Sequence, residues 1–193
     1  MIRTLIAIAA VSAALLAGIG PARAASDLHV AMLHASDAPK GYSAPKTKFF
    51  SHYAPHLRIK LGKNGSASCD AQPQLKSGWK QAMLQYFGGP NFLSVFEVCG
   101  YLDTSTGQTH AAYLADVASS KRQAKATPGL TSSSAAIGNE ALQVSGSKGG
   151  FATYEIIFRR DNALIEMVYL GNATYKMSQM LATAHVIDSR LKG

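Results

Sequence analysis

The chain has 193 residues, a formal net charge of +8 and two cysteines. That length suits one domain with a real core rather than a string of domains. The cysteines are too far apart for a Cys-x-x-Cys redox centre, and the basic excess turns attention to anionic partners.

Residues 1–24 read as a secretory signal peptide. Arg3 supplies the positive start, and Leu5 to Leu16 is an apolar run too short for a good membrane span. Ala22-Arg23-Ala24 fits the small-x-small cleavage rule, with cutting before Ala25. No Cys lies near that point, which argues against lipid anchoring, and the Ala-rich core is of bacterial type. The expected mature protein is a single domain over 25–193, secreted or held in the cell envelope, with no transmembrane span. Arg3 and Arg23 leave with the leader, lowering the net charge from +8 to +6. Export also favours a disulfide between Cys69 and Cys99. Closing that loop is worth about 3–4 kcal/mol on chain entropy.

Ser26-Asp27 can cap a short helix over Leu28 to Ala35, with Val30, Leu33 and His34 on one side. Pro39 and Gly41 end it. Residues 43–55 read as a basic loop or short strand around Phe49-Phe50. Leu57, Ile59 and Leu61 alternate with Arg58 and Lys60, the pattern of a strand wet on one side. Lys63 opens a turn, and 66–77 read as irregular. Residues 78–87 and 91–102 form an expected hairpin around Gly88-Gly89-Pro90-Asn91. A helix starts at Ser105, which is in capping-box spacing with Gln108; its expected stripe is His110, Tyr113, Leu114, Val117 and Lys121. Residues 123–136 read as a linker between halves of about 25–122 and 137–193. A strand starts at Ile137, and Gly146 to Gly150 turns the chain.

The clearest stretch is Phe151 to Leu191. Two apolar runs flank Asp161-Asn162, a two-residue hairpin turn with Arg160 opposite Ala163. Tyr154, Ile156, Phe158, Ile165, Met167 and Tyr169 then share one apolar face. A one-residue slip would bring Glu166 opposite that face, which selects this register. A type I′ turn would put both Asp161 and Asn162 at positive φ. After Gly171 the period lengthens. Met177, Met180, Leu181, Ala184, Ile187 and Leu191 form one helical stripe, which the apolar hairpin face is placed to receive. The class that follows is α+β, a largely antiparallel sheet with helices packed on one face.

Asp37-Ala38-Pro39-Lys40-Gly41-Tyr42, Ile137-Gly138-Asn139-Glu140-Ala141 and the run from Tyr154 to Ala163 with the last helix resemble a group of exported bacterial α/β domains. The group includes PsbP/Mog1-like lipoproteins and extracellular sensor domains of some mycobacterial serine/threonine kinases. The resemblance implies a PsbP/Mog1-like architecture and a binding or sensing role. It carries over no catalytic residue.

No Gly-x-Ser-x-Gly or Ser-x-x-Lys nucleophile motif is present. His52 and His56 share no helix, because Pro55 lies between them, and no metal site or cofactor is expected. Glu155, Glu166 and Arg159 fall on the mixed face of the last hairpin, expected to be half wet or covered by loops. They are the candidate polar-face site. Lys46, Lys48, Arg58, Lys60 and Lys63 are the candidate basic surface, suited to an anionic envelope polymer, a lipid surface or another exported protein. Export argues against nucleic acid. The function expected is a non-catalytic binding or sensor-like module; the alternative is an extracytoplasmic enzyme using Glu155, Glu166 and Arg159.

Overall fold

The computed structural model describes residues 27–51, 79–90, 94–103 and 105–192. The expected leader, the strand over 56–61, the turn at Lys63 and the irregular stretch 66–77 lie outside the described residues. Among the described residues, seven antiparallel strands and three α-helices make an α+β fold. They are α1 (Leu28–Ala31), β1 (Lys46–Phe50), β2 (Gln81–Gly88), β3 (Val95–Leu102), α2 (Thr106–Ala126), β4 (Leu130–Ser134), β5 (Glu140–Lys148), β6 (Phe151–Arg160), β7 (Ala163–Asn172) and α3 (Met177–Lys192). The sheet order is β1-β2-β3-β7-β6-β5-β4. Two meanders, β1-β2-β3 and β4-β5-β6-β7, therefore meet at the antiparallel β3–β7 pair.

The β6–β7 hairpin has the register that its hydrophobic pattern requires: Arg160 pairs with Ala163, Phe158 with Ile165, Ile156 with Met167 and Tyr154 with Tyr169. Those side chains form the larger core with Met180, Ala184, Ile187 and Leu191 of α3. Leu28, Ala31, Met32 and Leu33 from the α1 region join the same core. The turn differs from the I′ expectation. Asp161 has φ 51°, and no other non-glycine described residue has a positive φ. A positive φ at the first turn position alone is the II′ pattern, with Asp standing where Gly is usual. Asn139 Oδ1 accepts the Asp161 N–H from across the turn. Asn162 turns inward instead, and its Nδ2 donates to Asp103 O at 2.6 Å.

Helices cover both faces of the sheet, not one. Alternation puts Ile157 and Leu164 on the opposite side from Phe158 and Ile165. There they pack with Ala112 and Tyr113 of α2, and with Trp79, Leu84, Cys99 and Tyr101. The mixed hairpin face is thus roofed by a helix, not by loops or water. The single-face expectation failed because the buried side of α2 is partly polar: it consists of Thr109, Ala112, Tyr113, Asp116, Ser120 and Ala124. Of the expected stripe, Tyr113 is buried and Val117 packs partly buried against the core. His110 and Lys121 are exposed, and Leu114 is 51% exposed. Ser105 does cap α2, its Oγ accepting the Gln108 N–H at 3.3 Å.

Residues 123–136, expected as a linker, hold the last turn of α2 and strand β4. Lys, Arg, Gln and Ala favour helix, so α2 continues until Thr127-Pro128-Gly129, where Gly129 takes φ 89°. Leu130 to Ser134 then pair with Gly146 to Leu142. In the α1 region, Leu33 is buried as expected, but Val30 is 63% exposed and His34 is exposed. Its helix is a single turn capped by Asp27, whose Oδ1 accepts from His29 N at 2.9 Å.

Candidate functional site

The three polar-face residues do lie on one side of the sheet, under α2, but their partners differ. Glu155 Oε1 accepts from Ser120 Oγ at 2.9 Å. Burial raises the Glu155 carboxyl above the usual range, and the Ser120 bond offsets only part of that. Arg159 turns towards β5, where its Nε meets Glu140 Oε1 at 2.6 Å. Its Nη1 also donates to Asp161 O at 2.9 Å. His110 Nε2 lies 3.4 Å from the same Glu140 oxygen. Glu166 is buried, opposite Ile157 and Cys99. The polar groups therefore tie α2 to β5 and β6, and the partners seen for Glu155 and Arg159 are structural ones.

Cys99 is buried on β3 and is not a free thiol. Its expected partner, Cys69, lies outside the described residues. Among the described residues, no three His, Cys, Asp or Glu side chains converge as a metal site would require. No described helix is long and apolar enough to cross a membrane.

Of the expected basic surface, Lys46 and Lys48 are exposed on β1, the edge strand beside β2. Arg58, Lys60 and Lys63 lie outside the described residues. Phe49, directly after Lys48, packs against the larger core, and its ring centroid lies 3.8 Å from that of His29. A second basic group was missed in sequence because it falls at the edge of the supposed linker. Lys121, Arg122 and Lys125 are exposed near the end of α2, and no ion pair engages them among the described residues.

The acidic residues are distributed differently. Glu97, Asp103, Asp116, Glu166 and Asp188 are buried. Asp188 accepts both Nε and Nη2 of Arg160, at 2.6 and 2.8 Å, and Lys192 Nζ lies 3.2 Å away. Asp37 takes a two-pronged contact from Arg190 at 2.7 and 3.1 Å. Most of the described acids thus face inward or are neutralised, Asp27 and Asp161 excepted, while Lys46, Lys48, Lys121 and Lys125 are exposed. The described surface is more cationic than the net charge alone conveys.

A third set of polar groups had no signature in sequence. Gln85 Oε1 accepts from Leu33 N at 3.0 Å, and its Nε2 donates to Leu33 O at 2.7 Å. Gln81 Oε1 accepts from Leu28 N at 2.9 Å. These two amides, four residues apart on β2, fasten the α1 segment over the sheet. An isolated Gln inside a strand pattern reads as solvent-facing, so nothing marked Gln85 as buried.

No protein-family model matches this chain. No curated protein matches it either. Among solved structures, the crystal structure of the extracellular domain of PknH from Mycobacterium tuberculosis is similar. The match has a TM-score of 0.55 and 10% identity, covering 88% of this chain and 98% of that one. At that identity the likeness is one of fold.

Proposed function

We propose that the protein is an exported, non-catalytic binding or sensor-like module that engages an anionic component of the cell envelope or an acidic partner protein. The observation that carries this reading is the sorting of charge: most acids buried or paired, with exposed lysines on edge strand β1 and on α2. A surface of that kind attracts polyanions at long range, and salt weakens the attraction. The fold likeness to an extracellular domain agrees with the export signal expected at residues 1–24. Cleavage before Ala25, an extracytoplasmic location and a Cys69–Cys99 disulfide belong to the same reading.

The test is binding of the mature protein to vesicles of phosphatidylglycerol and phosphatidylcholine, and to an anionic wall polymer, over a salt series. Binding to at least one should fall steeply as salt rises to about 150 mM. Binding that ignores salt, or none to either probe or to acidic peptide, would overturn the reading. The enzyme alternative draws no support from Glu155, Glu166 and Arg159. Glu155 and Arg159 hold α2 and β5 in place, and α2 roofs the face that a substrate would need.

A further inference from the structure

The two edges of the sheet are guarded differently. Exposed edge strands invite pairing with other chains, and proteins usually block them with charge, proline or a bulge. β1 carries Lys46 and Lys48. β4, the other edge among the described residues, is Leu130-Thr131-Ser132-Ser133-Ser134, with no charge and no proline. Thr131 to Ser134 are exposed.

The phase of its hydrogen bonding can be read. Ala135 N donates to Ala141 O at 3.2 Å, continuing the β4–β5 register. In an antiparallel ladder alternate residues point their main-chain groups at the partner, so Thr131 and Ser133 face β5. Ser132 and Ser134 direct theirs outward. Leu130 agrees, since its N–H goes to Thr127 O rather than to β5.

Beside this edge stands one shoulder of α2. His110, Leu114, Val117 and Lys121 follow each other at helical spacing, with Lys125 one turn on. His110 reaches Glu140 on β5, and Val117 packs with Leu130, Leu142 and Val144. This shoulder therefore overlooks β4 and β5. It presents an exposed Leu114 and two lysines with no ion-pair partner among the described residues. Of the stripe expected from sequence, His110, Leu114, Val117 and Lys121 form this shoulder, whereas Tyr113 is buried against the sheet.

We infer that the edge of β4, unpaired among the described residues, binds an extended acidic segment of another exported protein, added as a further strand antiparallel or parallel to β4. Main-chain groups of Ser132 and Ser134 would supply its hydrogen bonds. Lys121 and Lys125 would meet its carboxylates, and Leu114 an apolar side chain between them. A second copy of this chain fits worse, because two-fold pairing of β4 would bring both basic shoulders together. The inference rests on the anionic-partner reading and narrows it to one surface.

The probe is a capped synthetic peptide alternating Glu with Val, against a control with Pro for each Val. It is titrated into the mature protein while amide exchange is followed residue by residue. The Glu–Val peptide should bind saturably and protect the Ser132 and Ser134 amides, and the Pro control should not. Ser132→Pro removes an outward N–H and leaves the β4–β5 bonds, so it should weaken binding by about tenfold or more. Lys121→Glu with Lys125→Glu should weaken it comparably and remove most of the salt dependence. Unchanged thermal unfolding in both variants would show that they still fold. If Ser132→Pro fails to fold, protection of β4 in the wild-type protein and the charge-reversal variant decide alone. Tight binding with β4 amides unprotected, or with Ser132→Pro unaffected, would overturn this site while leaving the anionic reading standing. Binding of vesicles or wall polymer but not of the peptide would do the same. Failure of every anionic probe would overturn both.

Discussion

Asn162 shows how much a single turn residue can carry. In the sequence it looks like half of a polar turn. In the fold it is buried, and its Nδ2 and main-chain O both meet Asp103, which directly follows β3. The turn thus locks to a strand from the other meander. Asn162→Ala would leave the buried Asp103 carbonyl without that donor, and should cost about 1–3 kcal/mol in urea unfolding. Its neighbour should behave in the opposite way. Asp161 holds φ 51°, a region that glycine enters freely. Its side chain makes no bond that the turn requires; the bonds there use its N–H and C=O. Asp161→Gly should therefore be neutral or stabilising, by up to about 1 kcal/mol. Equal losses at both positions would mean that the turn acts through something other than these contacts.

At the scale of elements, legibility followed the physics of each pattern. β6, β7 and α3 were legible because period two and period 3.6 each place an uninterrupted apolar set on one face. α2 was legible as a helix but not in its orientation. Its buried side includes a polar Asp116, and Thr109 and Ser120, whose hydroxyls bond Asp161 O and Glu155, far away in sequence. No local pattern encodes such bonds. β4 was missed because serine-rich strands look like linkers until β5 supplies their partner. The turn before β5 has a requirement of its own. Gly138 takes φ 66°, and a Cβ there would lie 2.3 Å from Arg159 O. It lets the chain cross close over β6, so that Asn139 reaches the Asp161 turn and Glu140 reaches Arg159. Gly138→Ala meets both a disfavoured backbone and a main-chain clash, and should cost about 2 kcal/mol or more. Equilibrium unfolding with no loss would show that the turn can move aside, and the Arg159–Glu140 pair would then not depend on it.

At the scale of the molecule, the ion pairs and the buried carboxylate give opposing pH dependences. Asp37 and Asp188 are each pushed up by burial, but Arg190 and Arg160 respectively outweigh this and hold them below the usual carboxylate range. Between the folded and unfolded values the unfolded chain binds more protons, so stability rises with pH there. The contribution is in place above about 3.8, the ordinary Asp value, and is lost as pH falls through the folded values. Both pairs hold α3, one to β6 and one to the segment after α1, so acid should loosen that helix first. Glu155 works in the other sense. Its folded value is raised above 4.5, so the folded state keeps a proton that the unfolded chain gives up. Stability therefore falls as pH climbs from 4.5 through the folded value. The pH–stability curve should climb through the acid limb and then decline. Glu155→Gln should flatten the decline alone, leaving a protein more stable at neutral pH than wild type. Asp188→Asn should flatten the acid limb, with a loss at neutral pH of about 2–4 kcal/mol from the abandoned Arg160. The measurement is urea unfolding of the three proteins across pH 2 to 8, a range of about six units spanning both limbs. A decline that persists unchanged in Glu155→Gln would assign it to another buried group, and the Ser120–Glu155 contact would then be a bond without a titration.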